Sequence, residues 1–130
     1  MRIFHLTEAA QWAASAAKGL HEQSTRGRSL AQVGFIHCSS WDQLPATAEL
    51  VYAGVNEPLV VVEIDVDRVE SVGAEVRYEH GDPDDSSSPL FPHLYGPLPT
   101  ACACRVLTAG FDDAGSFVVD TADDEPQQAG

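Results

Sequence analysis

Leu59-Val60-Val61-Val62-Glu63-Ile64-Asp65 is the stretch on which the fold turns. Val60, Val61, Val62 and Ile64 are β-branched, and their stiff side chains favour a pleated backbone over a helix. The run is almost continuously apolar rather than alternating, so it predicts a strand covered on both faces, central in a sheet. Its strongly apolar part, Leu59–Val62, is far shorter than the roughly 20 residues that cross a bilayer as a helix.

Toward the N-terminus the pattern alternates between strand and helix. Arg2–Leu6 predicts a first strand, with Ile3 and His5 on one face and Phe4 and Leu6 on the other. Thr7 is the expected N-cap of a helix over Glu8–Lys18, where alanines favour the helix and Gly19 closes it. Leu20–Gln32 is polar, carries Arg26-Gly27-Arg28 and reads as a loop. Val33–Cys38 predicts a second strand, with Phe35, His37 and Ser39 on one side. Ser40 and Gln43 form a capping-box pair ahead of a second helix, whose stripe is Leu44, Ala48, Val51 and Tyr52 and which Gly54 ends.

Toward the C-terminus strands follow one another. Ala74–Glu79 alternates, placing Glu75, Arg77 and Glu79 on one face. His80–Pro89 is acidic and Ser-rich and reads as a mobile loop. Leu90–Pro99 holds four prolines and glycines and reads as a rigid, turn-rich segment. Ala101–Leu107 is a further strand, and Phe117–Asp120 a short last one. Two N-terminal helices followed by strands without a clear helix between them predict an α+β domain with a mixed or antiparallel sheet. One domain over residues 1–109 is expected, with 110–130 an acidic C-terminal extension.

The 130 residues carry a net charge of −13. A uniform field of that sign disfavours DNA and anionic membranes, because non-specific affinity for both comes from neutralising phosphate charge. The charge is uneven, however. Residues 1–55 hold four acids and four bases, whereas residues 56–130 hold the other sixteen acids and three arginines. A cleft in the neutral half therefore remains open to a single nucleotide. Near the N-terminus, His5, Thr7 and Glu8 interrupt any apolar export segment. Cys38, Cys102 and Cys104 are an odd set, with the last two too close to bridge easily, which suits a reducing, cytoplasmic setting.

Three histidines stand in partly apolar surroundings: His5, His37 and His93. Imidazole donates and accepts hydrogen bonds and titrates near neutrality, so it suits ribose hydroxyls, acid–base work or a metal. No His-x-x-x-His spacing or nearby carboxylate ligand accompanies them, and the Cys102–Cys104 pair lacks a second half, so no metal is expected. No glycine-rich phosphate loop and no Gly-x-Ser-x-Gly elbow is present, which turns the reading away from P-loop, Rossmann and α/β-hydrolase enzymes.

The runs Ile3-Phe4-His5-Leu6-Thr7, Gly34-Phe35-Ile36-His37-Cys38-Ser39 and Leu90-Phe91-Pro92-His93-Leu94-Tyr95-Gly96-Pro97-Leu98-Pro99 occur in that order, with Val62-Glu63-Ile64-Asp65 and Val76-Arg77-Tyr78-Glu79 between them. Over about residues 2–107 the chain resembles the bacterial family called domain of unknown function nine-five-two. That family is grouped with the ADP-ribosyltransferase-like fold. The resemblance implies a split, mixed or antiparallel β core and a cleft for NAD or a related ADP-ribose nucleotide. It assigns His5 to the ribose, with Thr7, Ser39 and Arg77 as further binding residues and Tyr95 as the ring that stacks on nicotinamide. Glu79, steadied by Arg77, is the expected catalytic carboxylate, and His37 and His93 the acid–base groups. His5 lacks the glycine of the wider fold's His-Gly-Thr pattern, and Cys102–Leu107 lacks the acid usual on a late strand. A binding module that keeps the cleft without the chemistry is therefore the rival reading. A histidine-based metal hydrolase and an interaction protein using its acidic tail are two more.

Overall fold

The structure, a computed structural model, describes residues 1–121 of the chain. The Leu59–Asp65 run forms strand β6, with β1 (Arg2–Glu8) antiparallel on one side and β10 (Ala103–Phe111) antiparallel on the other. The short β11 (Phe117–Val119) completes the order β1-β6-β10-β11. Because β6 is central, its side chains are buried on both faces. Val60, Val62 and Ile64 enter one core with Ile36 and Leu94, while Leu59 and Val61 enter a second with Phe4, Leu44 and Tyr52.

A second sheet of three antiparallel strands carries the residues of interest. Its order is β5 (Ile36–His37), β8 (Leu90–Tyr95), β7 (Glu75–His80). The two sheets meet at a bridge where Phe4 and Ser39 exchange backbone hydrogen bonds of 2.9 and 2.7 Å. Two small ribbons, β2 (Leu20–His21) with β9 (Leu98–Pro99) and β3 (Gln23–Thr25) with β4 (Arg28–Ser29), fill the flank. Among the described residues four α-helices complete a mixed α+β fold: α1 (Ala9–Lys18), α2 (Leu30–Val33), α3 (Leu44–Tyr52) and α4 (Val66–Ser71). Among the described residues every strand pair is antiparallel, and no helix is long and apolar enough to cross a membrane.

Several elements differ from the sequence expectation. Thr7 does not cap α1. It lies in β1, and Glu8 is the N-cap residue, although Gly19 closes the helix in the left-handed region at φ 85°. The expected loop 20–32 contains three short strands, and Val33 ends α2 rather than opening a strand. Ser40 and Gln43 make the expected reciprocal bonds, but on the turn just ahead of α3, whose N-cap residue is Gln43. The helix α4 has a clear local cause. Asp65 ends β6 and caps α4 by accepting from the Asp67 backbone N–H at 3.0 Å.

Leu90–Tyr95 is a strand despite Pro92. The Pro92 carbonyl accepts from the Cys38 N–H at 3.1 Å, just beyond the last residue of β5, so the missing proline donor falls at the end of the β5 pairing rather than within it. The domain also reaches beyond residue 109. Gly110 and Phe111 pair with Val118 and Phe117, which puts them in the main sheet. The acids Asp123, Asp124 and Glu125 of the expected extension lie outside the described residues.

Candidate functional site

Strand alternation gathers the chemistry on one face of the second sheet. The register pairs Arg77 with His93, Glu75 with Tyr95, Glu79 with Phe91 and His37 with His93. Cross-strand partners share a face, so all seven side chains emerge on the same side. The opposite face carries Ile36 and Leu94 into the core, which makes the sheet a rigid support.

Glu79 is the hub of this face. Its Oε1 accepts the Tyr95 hydroxyl at 2.5 Å and the His93 Nδ1–H at 2.9 Å. Those two donors, Tyr95 first, hold its carboxyl below the ordinary glutamate range, so it is ionised at neutral pH. The same contact raises the Tyr95 phenol. The His93 side chain is 4% exposed and that of Glu79 39% exposed, so the carboxylate reaches solvent while its partner does not. Phe35 stacks on His93 with ring centroids 3.9 Å apart, and His37 meets His93 edge-on at 5.2 Å. Burial, then the neighbouring His93, lowers the His37 pKa to about 4 and keeps its ring neutral. Phe35, His37, Glu79, His93 and Tyr95 line one cavity of about 630 Å³.

Arg77 steadies Glu79 only through its charge, the smallest of the effects that lower that carboxyl, and makes no direct ion pair with it. Its guanidinium donates to Glu75 at 3.0 Å and lies 4.4 Å above the Tyr95 ring. One face of Tyr95 is therefore already covered. Phe35, expected from the sequence on the His37 face without a role, is a further ring in this cavity, with one face against His93 and the other left for a ligand.

His5 and Thr7 do not reach the cavity. His5 is 1% exposed, and both its nitrogens are engaged inside the protein. Nδ1 donates to the His37 carbonyl at 2.7 Å, which leaves Nε2 to accept from His21 Nε2 at 3.0 Å. His21 Nδ1 in turn accepts the Ser15 hydroxyl at 2.6 Å. The shared Nε2 contact forbids a charge on both rings at once, and desolvation lowers both, His5 to about 3 and His21 to about 4, so both are neutral at pH 7. His5 thus holds the β5 backbone that presents His37. Thr7 is buried and donates to Gln23 at 3.1 Å. Ser39 joins Thr47 at 3.3 Å and lines a second cavity, of about 580 Å³. His37 and Gly81 border both cavities.

Two buried side-chain polar atoms among the described residues have no hydrogen-bond partner: His93 Nε2 and Ser24 Oγ. His93 lines the first cavity and Ser24 the second. Ser24 and His21 sit in the stretch expected to be a loop. Their only sequence signal was the short run of small and polar residues after Gly19, too brief to show a period. Among the described residues no group of three His, Cys, Asp or Glu is placed to hold a metal ion. Cys38 beside His37 faces the core, and burial pushes its thiol pKa up, away from reactivity.

The fold is shared with protein CC0527 from Caulobacter crescentus. Its crystal structure is 27% identical, covers 95% of this chain and 97% of its own, and superposes with a TM-score of 0.71. Its solution NMR structure is 26% identical, covers 95% of each chain and gives 0.69. Comparison with curated proteins gives no match. The family model described as Protein of unknown function (DUF952) matches residues 6–106, which include β5, β7, β8 and every residue of the Glu79 cavity, and the chain belongs to that family.

Proposed function

We propose that this protein binds NAD or a closely related ADP-ribose nucleotide beside Glu79 and His93, and that it cleaves the bond between nicotinamide and ribose. The observation that carries the reading is the ionised Glu79 carboxylate, held by Tyr95 and His93 in the wall of a cavity floored by aromatic rings. The resemblance to the ADP-ribosyltransferase-like fold supports it, with the carboxylate on β7 rather than on a later strand.

In this reaction the glycosidic bonding electrons leave with the nicotinamide nitrogen, which becomes neutral, and the ribose carbon becomes cationic. A fixed carboxylate stabilises the charge that develops only in that transition state. Phe35 offers an apolar ring to nicotinamide. His93 donates Nδ1–H to Glu79, and its Nε2 has no partner among the described residues. In the neutral ring that nitrogen accepts, so there it takes a hydrogen bond from ribose, or the proton of the water or acceptor hydroxyl that adds to the cation. His37, neutral and on the same face, is the second acid–base group. The free thiols of Cys38, Cys102 and Cys104 suit a reducing cytoplasm, where such a nucleotide is available.

A binding module without turnover is the second reading, favoured by the lack of any acid on β10. One experiment separates them. Calorimetry with NAD is expected to show binding, and chromatography to show nicotinamide released. Glu79→Gln is expected to keep affinity within a few-fold while lowering release by about 10²-fold or more, as for loss of a transition-state electrostatic contact. Binding without release selects the module, and no binding at millimolar NAD removes both readings.

A further inference from the structure

We infer that the second cavity, beneath Arg26, takes the purine ring of the nucleotide, and that the Ser24 hydroxyl reads that ring. This rests on the nucleotide reading above and adds which half of the ligand lies where. The cavity lies between β3, α3 and the segment 81–89, with Leu6, Val51 and Phe91 among its apolar walls. A largely apolar slot with a few placed polar groups is the usual chemistry of a heteroaromatic site. Ser39 and Thr47 in its lining bond to each other, whereas Ser24 supplies a polar group that no described residue engages. It is fully buried, lies in the cavity wall and has no partner. A hydroxyl both donates and accepts, so it suits a ring nitrogen or the adjoining amino group of a purine.

The neighbours of the slot explain how the rest of the nucleotide continues. The Arg26 Nη1 donates to the Val51 carbonyl at 3.2 Å, which anchors the guanidinium over the cavity and leaves its other donors for a phosphate or its plane for the base. The border with the Glu79 cavity runs past His37 and Gly81. Gly81 also bears on the shape of the second cavity. A Cβ there would lie 2.8 Å from the Phe91 ring, so any side chain would displace Phe91 from the cavity wall. A ligand with two ring-bearing halves joined by a linker matches two cavities that share His37 and Gly81 in their linings.

The test uses half-ligands. Binding of AMP and of nicotinamide mononucleotide is measured by calorimetry on the wild-type protein, on Val51→Trp, which fills the slot, and on Ser24→Ala, which removes only the hydroxyl. The melting curve of each variant shows that it is folded. Val51→Trp is expected to weaken AMP at least about tenfold, and Ser24→Ala about five- to tenfold, the effect of one lost hydrogen bond. Nicotinamide mononucleotide is expected to stay within about twofold in both. Unchanged AMP affinity in both variants overturns the assignment. Nicotinamide mononucleotide binding without AMP binding overturns it too but leaves the Glu79 reading standing, whereas binding of neither removes both.

Discussion

His5 and His21 are neutral because their hydrogen bonds and their burial agree. The His37 carbonyl demands a proton on His5 Nδ1, and with both rings neutral each remaining ring nitrogen has one available role. This arrangement has a consequence for stability. The folded pKa values of about 3 and 4 lie below the ordinary 6.5, so between those limits the unfolded chain binds protons that the folded chain refuses. The stabilisation is complete above pH 6.5 and is lost as the pH falls toward 4. Urea unfolding at pH 7.5, 6.5, 5.8 and 5 is expected to show stability declining through that window, by up to about 1.4 kcal/mol per pH unit for each ring. A flat profile would mean that the rings protonate without disturbing the fold.

At the scale of elements, β6 is tied to both neighbours by one buried acid. Glu63 is 7% exposed, accepts from Arg2 on β1 at 2.8 Å and from Arg105 Nε on β10 at 2.9 Å. Taking away the carboxylate removes the acceptor that Arg2 and Arg105 share. Glu63→Ala is expected to destabilise the protein by about 1.5–3 kcal/mol, the scale of hydrogen bonds to charged groups, read as a lower urea midpoint with an unchanged slope. A loss under 1 kcal/mol would show that the arginines are solvated independently of Glu63. The same scale explains which elements were legible. β6 spans the predicted residues because a continuous β-branched run has one good solution. The helix α4 was missed although Asp65 and Asp67 are local capping signals, because its six residues are too few to show a helical period. In β8 the proline outweighed the alternation of Phe91, His93 and Tyr95, although Pro92 sits opposite the end of β5 and not inside its pairing.

Over the whole molecule the charge of −13 sets the approach of any anionic ligand. The site face itself holds Glu75 and Glu79 against Arg77, so no strong positive focus offsets the field. The association rate of NAD or AMP is therefore expected to rise with added salt, as screening shortens the reach of the repulsion from about 30 Å at 0.01 M to about 8 Å at 0.15 M. Stopped-flow measurement across that range checks the sign. A rate that falls with salt would reveal a local positive field, centred on Arg26 and Arg28, that dominates the approach.

The sequence by itself determined the central strand, the alternation that puts Glu75, Arg77 and Glu79 on one face, and the family to which the chain belongs. These are readable because strand faces repeat every two residues and family motifs are linear. It also singled out His37, Glu79, His93 and Tyr95, which the fold then gathers. Only the tertiary structure decided that His5 faces inward to His21, that Arg77 pairs with Glu75 and covers Tyr95, and that Phe35 and Ser24 line the cavities. Each of those outcomes depends on strand register and on the packing of segments distant in the chain, so no local pattern of residues encodes it.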